Sequence, residues 1–196
     1  MNKRTLFILS VALCCVAALM PARPAEAQRG NRQTITATMV GIGGRRAGVT
    51  LPFRLVINNY TSPAEVSTLT SAMQGGEDDL LRALDRLDAG RISIGNNVGV
   101  TANAVIPTQL AEGGTKLTVL YRRAVNIFEL RYGTRSSDYR FGYAEVFLDQ
   151  RGRGEGTLIP AARVRLRDGN TWEVEDFGVF PARLMGVRSS GNVPAR

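Results

Sequence analysis

The chain has 196 residues, with 25 lysines and arginines against 17 acids, two cysteines and no histidine. The lack of histidine excludes a Ser-His-Asp triad and any imidazole base. Cys14 and Cys15 both fall in an N-terminal apolar run, so the rest of the chain has no thiol nucleophile, no cysteine-type zinc site and no disulfide.

That run predicts a targeting segment over residues 1–27. Lys3 and Arg4 make a basic start, residues 6–20 are apolar, and Ala25-Glu26-Ala27 is a small-x-small cleavage pattern. A transmembrane anchor is the rival reading, but the run is short for a span and Pro21 and Pro24 follow at once. A lipoprotein signal needs a small residue before the cysteine, and Leu13 stands there. Cleavage after Ala27 removes Lys3, Arg4, Arg23 and Glu26, leaving 22 basic against 16 acidic side chains, with Lys116 the single lysine. The expectation is a periplasmic or secreted protein with no membrane span after cleavage. Without disulfides it is held by its core alone, as one domain over 34–188 with flexible tails at 28–33 and 189–196.

Alternation of Ile35, Ala37 and Met39, and then of Leu51, Phe53, Leu55 and Ile57, predicts a β-hairpin. Its glycine-rich loop carries Arg45 and Arg46. Residues 62–89 read as an αα-hairpin. Ser62, Pro63 and Glu65 are a helix-start signal, and Val66, Leu69 and Met73 share one face. Gly75-Gly76 breaks the run. Glu77, Asp78 and Asp79 then suit the positive end of a second helix, with Leu80, Leu81, Leu84 and Leu87 as its stripe and Gly90 as a left-handed terminator.

The chain then reads as β. Strands are expected at 91–94, 98–106, 117–130 with a bulge at Arg122-Arg123, 140–149 and 177–187, with a loop over 107–114 and a glycine-rich turn over 151–156. In 140–149, Phe141, Tyr143 and Phe147 oppose Ala144, Val146 and Leu148, which predicts a strand covered on both faces. Near the C-terminus a three-residue loop, Asp168-Gly169-Asn170, would set Leu166 against Trp172, Val164 against Val174, Arg165 against Glu173 and Arg163 against Glu175. Directly opposite residues share a face, so all four pairs match only in this register. The fold class is therefore α+β: a mostly antiparallel, bent or partly closed sheet of about eight strands with one αα-hairpin packed on it.

No dinucleotide fingerprint, P-loop or EF-hand loop occurs, so no cofactor or metal is expected. The arginines are spread along the chain and alternate with apolar residues, which reads as solvated strand faces rather than a nucleic-acid stripe. The function expected is an exported, non-enzymatic binding or structural module of the bacterial cell envelope. It would hold an apolar small molecule between sheet and helices, with Tyr121, Phe128, Tyr143 and Phe147 as wall residues. Alternatively it would contact an acidic envelope component through the loop arginines Arg45, Arg46, Arg151 and Arg153. The catalytic alternative is a carboxylate-dependent glycan hydrolase using two of Glu129, Glu145 and Asp149. Lys116, beside Gly113-Gly114, is expected in an exposed loop.

Overall fold

The computed structural model describes residues 32–42, 47–123, 138–167, 171–176 and 181–191. Arg45, Arg46, Phe128 and Glu129 lie outside these residues, as do the expected targeting segment and the phase shift after Arg123. The elements run β1 (Gln33–Val40), β2 (Thr50–Ile57), α1 (Pro63–Gln74), α2 (Glu77–Leu84), β3 (Gly90–Ile94), β4 (Val100–Ala102), β5 (Ala104–Gln109), β6 (Thr115–Arg122), β7 (Phe141–Leu148), β8 (Arg153–Arg167), β9 (Thr171–Asp176) and β10 (Ala182–Ser190). All strands join one antiparallel sheet, in the order β4-β3-β2-β1-β10-β8-β7-β6-β5, with β9 also on β8. Its two ends, β4 and β5, are separated only by Asn103, and β4 also touches β6. The sheet therefore curls until its ends meet. The fold is α+β, as its sequence pattern predicts.

Two cores follow from the two faces of the curled sheet. Inside it, Ile35, Phe53, Leu55, Ile92, Leu117, Val119, Val146, Leu158 and Leu184 pack together. Outside it, Leu69 and Met73 of α1 and Leu80, Leu81 and Leu84 of α2 cover Ala104, Leu120, Phe141, Ala162 and Val164. β7 is thus covered on both faces, Ala144, Val146 and Leu148 inward and Phe141 and Tyr143 under the helices. Each leucine so buried contributes roughly 1.5–3 kcal/mol of transfer free energy.

The helix hairpin starts as its capping signal requires. Ser62 Oγ accepts from the Glu65 amide and the Glu65 carboxylate accepts from the Ser62 amide. Gly76 takes φ 109° at the start of α2. The end differs from expectation: α2 stops at Leu84, and Gly90 opens β3 instead of terminating a helix. The reason lies across the fold. Asn103 Nδ2 donates to the carbonyls of Leu84 (3.0 Å) and Leu87 (3.2 Å), while its Oδ1 accepts from the Arg122 amide at 2.8 Å. One buried side chain so caps α2, marks the break between β4 and β5, and ties both to β6.

Other boundaries also shift. The strand expected over 98–106 is two strands, and Val98 lies in an exposed turn. β5 runs on through Pro107 to Gln109, tolerable because it pairs only with β6 along that stretch. Gly154 and Gly156, expected in a turn, belong to β8, where a β-carbon would strike the carbonyl oxygens of Phe147 and Glu145. Gln33, Ser189 and Ser190, expected in tails, are in β1 and β10. Gln33 is 1% exposed, accepts from the Tyr60 hydroxyl and donates to Ser189 Oγ at 2.6 Å.

The C-terminal hairpin has the register expected: Arg163↔Glu175, Val164↔Val174, Arg165↔Glu173 and Leu166↔Trp172. Its ion pairs are not the directly opposite ones. Arg165 pairs diagonally with Glu175, and Arg163 reaches Glu77 of α2 at 2.7 Å.

Candidate functional site

The sequence candidates scatter. Tyr121 points inside the sheet and is 5% exposed, so it is a core residue, not part of a wall under the helices. Burial raises its pKa to about 12, with Arg123 opposing. Tyr143 lies on the opposite face, at the margin of the helix-covered core. Phe147 shares that outer face but is 38% exposed. The space between sheet and helix pair is occupied by the packed leucines, Met73 and Phe141.

Lys116 is not in a loop. It stands on β6, half-buried, with Nζ 3.4 Å from Glu145 Oε1. The Tyr143 hydroxyl donates to the same oxygen at 2.6 Å. Burial, and then the hydrogen bond and charge of Glu145, raise the Tyr143 pKa well above its usual value, against a lowering hydrogen bond from Thr118. Asp149 caps a turn, accepting from the amides of Arg151 and Arg153, both at 2.8 Å. Glu145 and Asp149 are four residues apart along an extended chain, roughly 13 Å, which exceeds both carboxylate spacings that glycoside hydrolysis uses. An open cleft of about 530 Å³ lies where β4, α2 and β6 meet, lined by Asp85, Asp88, Thr101, Asn103, Arg122 and others. Its Asp85 is taken up by Arg122 at 2.6 Å. Glu77, Asp78 and Asp79 diverge to Arg163, Arg140 and Arg82, and no metal-holding group of acids occurs among the described residues.

What the fold does bring together is charge. No Asp or Glu occurs between Glu26 and Glu65, between Asp88 and Glu112, or after Asp176. The strands in those stretches are β1, β2, β3, β4, β5 and β10, and β4-β3-β2-β1-β10 are contiguous in the sheet. The five contiguous strands β4-β3-β2-β1-β10 therefore carry no acid, and the acids nearest to them on β8 and its turn are Glu155, which shares the outer face with Arg153, and Asp149. Phe53, Leu55, Ile92 and Val187 point inward, so Arg54, Arg91 and Arg188 point outward and are exposed. Registration then aligns them. Arg153 of β8 stands opposite Arg188 of β10, Arg188 opposite Thr36 of β1, Thr36 opposite Arg54 of β2, and Arg54 opposite Ser93 of β3. A second row, two residues along, runs Ser190, Thr34, Val56, Arg91, Thr101.

Most arginines near the helices are paired, Arg86 just after α2 being an exception among the described residues. Arg82, Lys116, Arg122, Arg140, Arg163 and Arg165 each hold a carboxylate. Among the described residues, no carboxylate pairs with Arg54, Arg91, Arg153, Arg183 or Arg188; Arg91 donates only to the carbonyls of Val98 and Gly99. Of the four expected partner-contact arginines, Arg153 belongs to this face and Arg151 is exposed in the adjoining turn. Arg54, Arg91, Arg183 and Arg188 were missed because their spread along the chain hides their adjacency. The three acid-free stretches were the signal that could have found them.

The fold and this face define a nearly closed antiparallel α+β sheet with one strongly basic outer side. The chain matches no protein-family model, no curated protein and no solved structure.

Proposed function

We propose that the protein is an exported, non-enzymatic binding module of the bacterial cell envelope that contacts an acidic component through the arginine face of β10, β1, β2 and β3. Export rests on residues 1–27, whose basic start, apolar run and Ala25-Glu26-Ala27 pattern are those of a cleaved signal. Binding rests on one observation, the row of outward arginines that have no carboxylate partner among the described residues. An unpaired guanidinium presents a planar fork of donors suited to carboxylate or phosphate, and four on the acid-free strands, with Arg153 beside them on β8, make a field that attracts anions.

The test is co-sedimentation with bacterial envelope material at low and high salt, for the native chain and for Arg54→Gln/Arg188→Gln. Salt-sensitive binding that the double variant loses is the expected outcome. Equal binding by both chains overturns the assignment to this face. Sequencing the N-terminus of protein recovered from the envelope fraction tests export, with Gln28 expected first.

A further inference from the structure

We infer that the arginine face takes a linear acidic polysaccharide, laid across the strands along the row Arg153, Arg188, Thr36, Arg54 and Ser93. This rests on the envelope-binding reading and names its partner. Three observations choose the occupant. The row crosses five neighbouring strands, about 20 Å at the usual strand spacing. Because the sheet curls until its ends meet, the row is convex, so a flat bilayer touches only part of it whereas a flexible chain follows it. Its side chains are guanidinium and hydroxyl groups, which suit a polymer carrying both carboxylates and hydroxyls. The strand positions beside the row add Ser190, Thr34, Val56 and Arg91 on one side and Glu155, Met185, Thr38 and Pro52 on the other, and no aromatic ring. Single-stranded nucleic acid is held by stacking on aromatic side chains, which these positions lack, and protein interfaces centre on clusters of buried aromatic or apolar anchors, whereas the exposed apolar side chain beside the row is a single Met185.

The experiment titrates the full chain with galacturonate oligomers of increasing length, with anionic phospholipid vesicles and with single-stranded DNA, at matched salt. Arg54→Gln, Arg188→Gln and the double variant are compared with Arg82→Gln, whose arginine lies on α2 and pairs with Asp79. The expected result is affinity that rises with oligomer length until the row is spanned. It falls roughly fivefold for each row arginine removed, equivalent to about 1 kcal/mol, and is unchanged in Arg82→Gln. Weaker binding at higher salt accompanies it, with a slope that flattens as arginines are removed. Affinity independent of oligomer length overturns the row as the binding site. Tighter binding to vesicles or DNA than to the galacturonate polymer, still lost in the double variant, overturns the polysaccharide but leaves the envelope-binding reading standing. Binding to every polyanion that is insensitive to Arg54 and Arg188 overturns both. Thermal unfolding of each variant confirms that these exposed substitutions leave the fold intact.

Discussion

Gly142 is a glycine for one reason. Its φ is not in the left-handed region, so an alanine backbone is tolerated there. The obstacle is Tyr121, which stands directly opposite on β6 and lays its ring over the glycine. A β-carbon on residue 142 falls among Cζ, Cε2 and Oη of that ring, far inside van der Waals contact. Tyr121 is 5% exposed and packed in the inner core, so the ring cannot move without opening a void or displacing neighbours. Overpacking of this kind costs about 1–3 kcal/mol, and the poor escape route puts Gly142→Ala at the upper end. For a chain of this size that is a fall in Tm of roughly 5–10 °C. Tyr121→Ala alone should cost about 3–5 kcal/mol through lost packing. With the ring gone, the new methyl has room and alanine restricts the unfolded chain more than glycine, so adding Gly142→Ala should then stabilise by about 0.5–1 kcal/mol. The substitution changes sign with its background, a coupling of about 3 kcal/mol in a double-mutant cycle read by urea or thermal unfolding. Additive effects, or a neutral Gly142→Ala, would refute the β6–β7 register on which the inner core is built.

Asn103→Ala leaves the Arg122 amide and the Leu84 and Leu87 carbonyls without their partner, which should cost about 2–4 kcal/mol and speed hydrogen exchange at the Arg122 amide. Asn103→Asp keeps an acceptor for Arg122 but loses both donors, and should be no more stable than the alanine variant. Ser62→Ala removes the capping box of α1 and should cost about 1 kcal/mol, with fraying at the start of that helix in exchange measurements. At alkaline pH, Tyr121 keeps its proton in the folded chain up to about 12 but loses it near 10 when unfolded. The unfolded state then binds fewer protons, so stability is intact below pH 10 and falls between 10 and 12, by about 3 kcal/mol at the top of that window. Thermal unfolding across it should show a decline that Tyr121→Phe reduces, and an unchanged decline would place the titration elsewhere.

Most of the local structure is legible in the order of residues alone, because local structure answers to short-range rules. The capping box at Ser62 and Glu65, the break at Gly75-Gly76, the two-faced strand β7 and the register of the β8–β9 hairpin each depend on residues within a few positions of one another. The α+β class followed from the order of those elements. The end of α2, the division between β4 and β5, and the place of Gly154 and Gly156 inside β8 did not follow. Each is decided by a contact between segments distant in the chain: the bonds of Asn103 to α2 and β6 for the first two, the carbonyls of β7 for the last. The candidate site belongs to the same kind. Arg54, Arg91, Arg153 and Arg188 are separated by long runs of sequence and become neighbours only through strand pairing in a sheet whose order sets β3, β2, β1, β10 and β8 side by side. Alternation could say that each faces water. Only the order of strands in the sheet could say that they face it together, because charge adds up over space and not along the chain.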